Sequence, residues 1–311
     1  MRVTSNSFPT ALINQLGDLT TRQAKLQNQA ATGQRIQLPE DDPKAMRRVL
    51  DMQTEARSID QYQRNIERQQ EAATASYTVM KSLKTISDRA NEIATLADGL
   101  DSPQQLAIYA NEVTELIKHG IQLVNTTHRG DYLFGGTRNN TAPFVASYSD
   151  DGQVTSVVYA GNDSLPESEI GDNVKSSGHT LGENNSGSGP RGLITDSRSG
   201  ADLFAHLISL QNHLRAGDTN AVANTDRAAL QRDEENLIYH YGLNGATQSR
   251  LDVTLSLLKE RNFSLSSEVS KEVDADLAQT LVRLNETQNA YQAALQSGGS
   301  ILGMSLLDYM R

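Results

Sequence analysis

The 311-residue chain contains no cysteine and no tryptophan, and only 5% of its residues are aromatic. The absence of cysteine excludes disulfide bonds, thiolate nucleophiles and sulfur-ligated zinc or iron–sulfur sites. Hydrophobic residues make up 37% of the chain, which is below the average of roughly 45–50% for globular domains. A thick core needs more large apolar side chains than this chain contains. We therefore expect an elongated protein with a large surface.

Basic residues and long apolar runs are also scarce. The chain has 28 Lys and Arg against 38 Asp and Glu, for a net charge of −10. A nucleic-acid-binding surface needs clustered basic side chains, so nucleic acid is not an expected partner. No stretch approaches the roughly 18 apolar residues of a membrane span, and the N-terminus lacks the apolar segment of a secretory signal peptide. We therefore expect no membrane insertion and no cleaved signal.

The N-terminal part of the chain has the periodicity of helices. Residues 5–33 are predicted to form a helix that ends at Gly33, and residues 44–98 contain neither proline nor glycine. Gly99 and Pro103 interrupt the pattern before a further helix. A helix of about 55 residues is about 80 Å long at about 1.5 Å per residue, so the pattern predicts a rod.

Residues 141–200 differ in composition from the helical parts. Two β-rich runs flank Asp151 and Gly152, which is a strong signal for a hairpin. The following stretch, residues 171–192, is rich in Gly, Ser and Asn and is predicted to be a loop. The region holds eight acidic and three basic residues, so it carries −5 of the net charge of −10. We expect a small, acidic, β-rich domain that faces solvent.

Helical periodicity resumes near Ala201 and again at residues 220–241, and from Gly245 one helix is predicted to continue to about Gln296. Between Val269 and Leu281 the apolar residues recur in steps of four instead of alternating steps of three and four. Such a stutter shifts the apolar stripe around the helix. It indicates a boundary between two packing partners near residues 270–280.

The stretch LPEDDPKAM, residues 38–46, places three acids before the long helix. Asp42 followed by Pro43 has the pattern of an N-cap residue and the first helical residue. Glu40 and Asp41 add negative charge near the positive end of the helix dipole. A catalytic or metal-binding role is the alternative, but no histidine lies nearby in the sequence.

No catalytic or nucleotide-binding motif occurs in the chain, so neither an enzyme activity nor a cofactor is expected. His206 and His213 lie seven residues apart, close to one helical face, and a metal pair stays open there, although packed or solvated histidines are commoner. The sequences at Asn139 and Asn184 match the N-glycosylation pattern. An unmodified loop is the favoured interpretation of both.

Several stretches resemble the bacterial flagellar axial proteins and, more narrowly, the hook-filament junction proteins, which form the FlgL or third hook-associated family. These stretches are MRVTSNSF at the N-terminus, ATGQRIQLPEDDPKA at 31–45, GDYLFGGT at 130–137 followed by APF, HYGLNGATQSRLD at 240–252, and SLLDYM at 305–310. Flagellin shares the architecture and is the alternative. The phrase RIQLPEDDP and the ending SLLDYMR favour the junction family, whereas the central 60 residues match nothing in it.

The resemblance implies a mainly α, flagellin-like helical bundle or coiled coil formed by the N- and C-terminal segments, with a small inserted β-rich domain. It implies three domains: a terminal coiled coil of residues 1–41 and 276–311, a helical rod of residues 42–140 and 201–275, and an outer domain of residues 141–200. In the family the terminal helices pair and line the central channel. The residues that match this assembly interface are Leu12, Leu19, Leu26, Leu281, Leu284, Tyr291 and Leu295.

The resemblance also implies a function and partners. The expected function is a structural adaptor between the first hook-associated protein and flagellin, built as a ring of copies of this chain. The flagellar export apparatus and its chaperone are further expected partners, and the expected location is extracellular, after export of an unfolded chain through the flagellar type III pathway. The alternatives are a flagellin-type filament subunit and, more distantly, a coiled-coil signalling or enzyme-associated module.

The two ends of the chain, residues 1–35 and 280–311, each offer only a narrow apolar stripe. Ordering a residue costs roughly 1–2 kcal/mol of backbone entropy, which one thin stripe hardly offsets. We therefore expect both ends to be disordered or only partly helical in the free monomer and to order on assembly.

Overall fold

The computed structural model describes residues 7–97 and 102–309, and it describes side chains for residues 10–97 and 102–300. Most of these residues are helical, and the described strands are short. The helices are α1 (Ser7–Thr32), α2 (Pro43–Ala97), α3 (Pro103–Val124), α4 (Leu203–Ala216), α5 (Thr219–Ala221), α6 (Arg227–Val273) and α7 (Leu277–Tyr309), with a π-helical turn at Val222–Asp226. The predicted interruption at Gly99 lies outside the described residues.

The strands lie between α3 and α4. They are β1 (Thr127–His128), β2 (Asp131–Tyr132), β3 (Phe144–Tyr148), β4 (Val154–Tyr159), β5 (Ser168–Gly171), β6 (Val174–Ser176), β7 (Leu181–Asn184), β8 (Gly192–Asp196) and β9 (Ala201–Asp202). Consecutive strands from β1 to β6 form three antiparallel pairs, and β7, β8 and β9 form a three-stranded mixed sheet. The fold class is therefore mainly α with a small sheet-containing region, as predicted.

The described residues form two compact units. The first contains the residues up to Ser58 together with those from Arg261 onward, and the second is Ile59–Glu260. The three predicted domains do not coincide with these units. The first unit extends past residue 41 because Arg48 and Glu55, near the start of α2, form ion pairs with residues near the end of α6.

The second unit has a continuous apolar core between helices and strands. Its helical part comes from α2, α3, α4 and α6, and Leu83, Ile117 and Leu207 are examples that are fully buried. The strand region contributes Phe144 and Ile194 to the same core. Residues 141–200 therefore pack onto the helices along one of their faces, instead of facing solvent on all sides as a separate domain would.

The predicted hairpin at Asp151–Gly152 is present. Strands β3 and β4 pair antiparallel, and Val145 on β3 lies opposite Val158 on β4. The connecting residues 149–153 are closed by a hydrogen bond from the N–H of Ser149 to the carbonyl of Gln153 at 2.9 Å. Gly152 has a φ of +74°, a left-handed conformation that glycine adopts without steric cost.

The prediction of a plain loop at residues 171–192 is wrong, because β6 and β7 lie within it. The small residues there allow close packing against neighbouring backbone. A Cβ atom on Gly178 would lie 2.2 Å from the carbonyl oxygen of Gln69 on α2. The side chain of Gln69 in turn donates to Ser168 Oγ at 2.6 Å and to the Ser176 carbonyl at 3.0 Å. Gly178 therefore allows the backbone to pack closely against α2, and it does not indicate a free loop.

The helix boundaries in the C-terminal part also differ from the prediction. Helix α6 continues through Gly242 and Gly245, where a break was predicted, because the side chain of Asn244 donates to the carbonyl of Ala73 and holds this turn against α2. The predicted single helix from Gly245 to Gln296 is instead broken at residues 274–276. Tertiary hydrogen bonds described below cause that break.

His240 on α6 is buried where α6 meets strand β8, with 2% of its surface exposed. Its Nε2–H donates to the carbonyl of Gly192 at 3.0 Å, whereas its Nδ1 has no hydrogen-bond partner. Burial is the main cause that lowers the pKa of His240 to about 4, although Asp196 opposes this shift. The fold therefore requires the neutral form of this histidine.

We predict that acidification destabilises the protein through His240. Because the pKa is lowered from 6.5 to about 4, the contribution is complete above pH 6.5 and is lost as the pH falls from 6.5 to about 4. The loss is on the order of 3 kcal/mol. His206, whose pKa Asp233 raises, already makes its full contribution below pH 6.5 and does not offset this loss.

Thermal unfolding between pH 7 and pH 4 measures this effect. His240→Gln keeps a side-chain donor for Gly192 and should show a much shallower fall in midpoint than the wild type. His119→Gln changes an exposed histidine and serves as the matched control. An equally steep fall in wild type and His240→Gln would contradict the assignment.

Candidate assembly surface at the paired terminal helices

Helices α1 and α7, which come from opposite ends of the sequence, pack against each other in the first unit. A seam of buried and partly buried residues follows α7 with alternating steps of four and three residues, the period of a coiled coil. On α1 the facing residues recur with the same period. The seam consists of Leu12, Leu16, Leu19, Gln23 and Leu26 on α1 and of Thr280, Leu284, Thr287, Tyr291, Ala294 and Gly298 on α7.

Five of the seven residues predicted for the assembly interface lie in this seam. Leu12, Leu19, Leu26, Leu284 and Tyr291 are buried or partly buried there. Leu281 and Leu295 do not lie in the seam, because they are 51% and 47% exposed. Within one chain these two leucines point to the outside of the helix pair.

Sequence reasoning missed the small and polar members of the seam. Thr280 and Thr287 are 6% and 4% exposed, and Gly298 is also buried. Leu281 and Leu295 were predicted because they are large and apolar, but each lies one residue beyond a seam position. Leu284, Tyr291 and Gly298 recur at heptad spacing. This signal could have located the seam if threonine had been accepted at the positions between them.

The two helices approach closely at Gly298. A Cβ atom on this glycine would lie 2.3 Å from Cδ2 of Leu12, which is far below any normal contact distance. At the other end of the pair, Gln34 and Asp274 form an antiparallel β-bridge. These two contacts establish that α1 and α7 run antiparallel.

The acidic stretch before α2 caps that helix and closes a turn. Pro43 is the first residue of α2, and Oδ1 of Asp42 accepts a hydrogen bond from the N–H of Ala45 at 3.0 Å. Asp41 accepts from Nζ of Lys25 at 2.6 Å and from the N–H groups of Gln37 and Leu38, each at 3.1 Å. These bonds, led by the one from Lys25, lower the pKa of Asp41 to about 2. Both carboxylates therefore have structural partners.

The turn between α1 and α2 is also bonded to the break between α6 and α7. The carbonyl of Val273 accepts from the N–H of Arg35 at 2.6 Å, and the N–H of Ala275 donates to the carbonyl of Gly33 at 2.8 Å. The N–H of Ala275 is therefore not available for the helical hydrogen-bond pattern, and α6 ends at Val273. Helix α7 then starts anew with Asp276 as its cap, because Asp276 Oδ1 accepts from the N–H of Gln279.

Charged side chains strengthen the same crossing. Arg48 forms a two-pronged ion pair with Glu272, with N–O distances of 3.0 and 2.8 Å. The guanidinium of Arg35 donates to the carbonyl of Glu272 at 2.7 Å. Arg48 lowers the pKa of Glu272, so the pair stays ionised at neutral pH.

The structure places a buried carboxylate against each of the two histidines for which the sequence left a metal pair open. Nδ1 of His206 lies 2.8 Å from a carboxylate oxygen of Asp233, and Nδ1 of His213 lies 2.7 Å from one of Asp226. Both carboxylates are 1% exposed. Among the residues that the structure describes, no group of three or more metal-ligating side chains could hold an ion.

The glycosylation pattern at Asn184 is not accessible. This asparagine is 2% exposed, and its Nδ2 donates to the carbonyls of Ser188 and Pro190. The side chain organises the loop before β8 and is not free to carry a sugar. Asn139, in the other matching pattern, is partly exposed.

Comparison with known proteins relates this architecture to the bacterial flagellum. Residues 5–139 match the model of the bacterial flagellin N-terminal helical region. A search of curated proteins found no match. In the described part of the chain, no helix has the length and apolar character needed to cross a membrane.

Solved structures extend the comparison over most of the chain. A flagellar hook-associated protein from Vibrio parahaemolyticus is similar over 75% of this chain and 100% of its own, with a TM-score of 0.63 at 17% identity. The fold is that of the flagellar hook-associated proteins. FlgL from Bacillus cereus covers 71% of this chain and 99% of its own, with a TM-score of 0.55 at 17% identity. FlgL from Xanthomonas campestris covers 69% and 98%, with a TM-score of 0.56 at 16% identity.

These findings confirm the resemblance to FlgL and the hook-associated proteins that the sequence motifs indicated. At 16–17% identity the likeness establishes the hook-associated fold and not the role of individual residues. The assembly residues are therefore assigned from the geometry of the helix pair.

We predict that Gly298→Leu separates α1 from α7. The new side chain would occupy the space of Leu12, whereas Gly299→Leu is a matched control, because no atom lies within 4 Å of a Cβ at that position. Leucine is a better helix former than glycine by about 0.8–1 kcal/mol, so the control should keep or strengthen α7. In purified flagella, where the helix pair is expected to be protected, hydrogen exchange of residues 10–32 should accelerate in Gly298→Leu only. Equal exchange in both variants would contradict the seam.

Proposed function

We propose that this protein is a structural adaptor of the bacterial flagellum, located at the junction between the hook side and the flagellin filament. Its neighbours there are the first hook-associated protein and flagellin. The observation that carries the proposal is the combination of a flagellin N-terminal helical region with the hook-associated fold. Catalysis has no part in this function.

The paired terminal helices supply the physical basis for assembly. The seam between α1 and α7 is thin, since Leu26, at 7% exposure, is the one large apolar side chain among the described seam residues that is buried. Ordering about 60 residues against such a seam costs more backbone entropy than the seam returns, by the estimate of roughly 1–2 kcal/mol per residue. Further burial from neighbouring subunits is needed to complete the structure.

Exposed leucines on α7 are suited to provide this burial. Leu281 and Leu295 are about half exposed and lie fourteen residues, or two heptads, apart on one face of the helix. Their exposure in the single chain is the reason to assign them to contacts between copies, whereas Leu12, Leu19, Leu26, Leu284 and Tyr291 serve the contact within each copy. Folding of the ends is then coupled to assembly.

The same coupling suits delivery outside the cell. A chain whose ends gain their full set of contacts only in the assembly can be exported unfolded through a narrow channel, by the flagellar export apparatus and with its chaperone. It then folds at the tip of the growing structure. The proposed location is therefore extracellular, in the flagellum.

A flagellin-type filament subunit is the second candidate function. The match to the flagellin N-terminal region favours it specifically, because filament subunits carry that region. The two functions differ in polymerisation. A filament subunit elongates a filament by itself, whereas an adaptor stops after a short ring.

Deletion of the gene tests the proposal. In the deletion strain we expect hooks without filaments, together with abundant flagellin in the culture medium, because flagellin is exported but has no template on which to polymerise. Electron microscopy of the hooks and analysis of the medium should be done on the same culture. Restoring the gene on a plasmid should restore filaments and serves as the control.

Two results would overturn the adaptor function. Filaments that persist in the deletion strain would exclude a required junction. Loss of this protein as the main filament component, with no other flagellin in the medium, would support the filament subunit instead.

A further inference from the structure

Near its free end the terminal helix pair has a stretch without charged residues, here called the uncharged end, although Asp308 follows it on α7. Residues 7–17 of α1 and residues 287–300 of α7 contain no Asp, Glu, Lys or Arg, although the chain as a whole has a net charge of −10. The exposed faces of helices in water are normally rich in charged residues. An uncharged end allows copies of an acidic chain to meet there without repulsion between like charges.

A groove lies between the two helices at this uncharged end. It has a volume of about 540 Å³, and alanine and glycine dominate its walls. Because these side chains are short, a side chain from another helix can reach between α1 and α7. The residues that line the groove include Ala11, Leu12, Ala290, Ala293, Ala294 and Gly298.

A protruding apolar side chain lies beside the groove on the same helix. Ile13 is 67% exposed, the highest exposure among the large hydrophobic residues described on α1 and α7. Gly17, one turn further along α1, has no atom within 4 Å of a Cβ position. Thr20 and Ala24 continue the same face with short side chains. Ile13 therefore has the form of a single knob on an otherwise flat, uncharged surface.

The knob and the groove are complementary in chemistry and size. Ile13 is apolar and branched, and the groove is apolar, uncharged and large enough for the side chains of one helical turn. Both features lie on one chain at one end of one helix pair, so every copy carries both. Helices pack in this way when a side chain from one enters a hole formed by residues of the other.

We propose that the groove between α1 and α7 receives Ile13 from α1 of a second copy of this chain. The contact is heterologous, because two different surfaces meet. Heterologous contacts generate rings or helical arrays and not closed pairs. The contact adds to the proposed adaptor function a specific interface between copies of this chain. It rests on that function only in assigning the interface to the flagellar junction.

Single cysteines test the contact, since the natural chain has none and no other thiol can react. One purified chain carries Ile13→Cys and another carries Ala290→Cys, and the two are mixed at high concentration under mild oxidation. A disulfide between them forms only between different copies. We expect the mixed dimer on a non-reducing gel to exceed control dimers at least fivefold.

Matched controls place the cysteine away from the knob or away from the groove. Arg22→Cys lies nine residues from Ile13, which is two and a half turns and therefore the opposite side of α1. Val282→Cys lies on α7 outside the groove, with 56% of its surface exposed. The pairs Arg22→Cys with Ala290→Cys and Ile13→Cys with Val282→Cys should give only background dimer.

Groove-filling variants provide an independent readout. Ala290→Leu fills the groove but keeps the knob, whereas Ile13→Ala removes the knob but keeps the groove. By sedimentation, each variant alone should associate at least fivefold more weakly than the wild type. A mixture of the two should regain pairs, because one variant supplies the knob and the other supplies the groove.

The outcomes separate this contact from the proposed function. No mixed dimer above the controls would overturn the contact, as would Ile13→Cys homodimers as the main product, which indicate a symmetric contact instead. Binding of Ile13→Ala and wild type to flagellin alone, with no self-association, would also overturn it in favour of a different protein as the occupant. The deletion strain tests the adaptor function separately. The contact between copies can therefore be wrong while the adaptor function is right, and the reverse.

Discussion

The fold of the first unit depends on the hydrogen bonds between the α1–α2 turn and the break between α6 and α7. Arg35 and Glu272, which meet there, are 237 residues apart in the sequence. Closing so large a loop carries an entropic cost that local propensity cannot offset. The backbone bonds at Val273 and the ion pair of Arg48 with Glu272 supply opposing interactions across this distance. They join the end of α1 to the start of α7, next to the seam between these two helices.

The composition of the seam explains why the pair is suited to assembly. It alternates leucine with glutamine, threonine and glycine, so it aligns the helices without burying much apolar surface. A dry leucine seam would stabilise the isolated pair and leave little need for neighbours. In contrast, a thin seam flanked by Leu281, Leu295 and Ile13 leaves apolar surface that other copies can cover. That incomplete burial supports a function in assembly, as the proposed adaptor role requires.

The sequence predicted the elements that depend on interactions between residues close together in the chain. Asp42 and Pro43 occupy the cap and first position of α2 because side-chain and backbone preferences act within four residues. The hairpin around Gly152 formed for the same reason. The motifs also indicated the hook-associated fold, which the comparison of structures then showed.

Features set by distant contacts could not be predicted in this way. The stutter between Val269 and Leu281 indicated a boundary near residues 270–280, but the break at residues 274–276 also involves the bond from Arg35 to Val273, which the local sequence does not show. The phase of the seam on α7 was misjudged by one residue at Leu281 and Leu295, because threonine and glycine carry the contact where leucine was expected. The packing of the strand region onto the helices was not predicted, because Phe144 and Ile194 meet helices that are distant in the sequence and because Gln69 and Gly178 do not indicate a buried contact by residue type.

We propose that the terminal helix pair is incomplete in a single chain and is completed by neighbours in the flagellum. Hydrogen exchange of residues 10–32 and 277–300, measured by mass spectrometry in the free protein and in purified flagella, tests this claim most directly. We expect residues 10–32 and 277–300 to exchange fast in the free protein and to be strongly protected in the flagellum. Leu83 and its neighbours in the second unit should stay protected in both. Equal protection of the terminal helices in the two states would contradict the proposal.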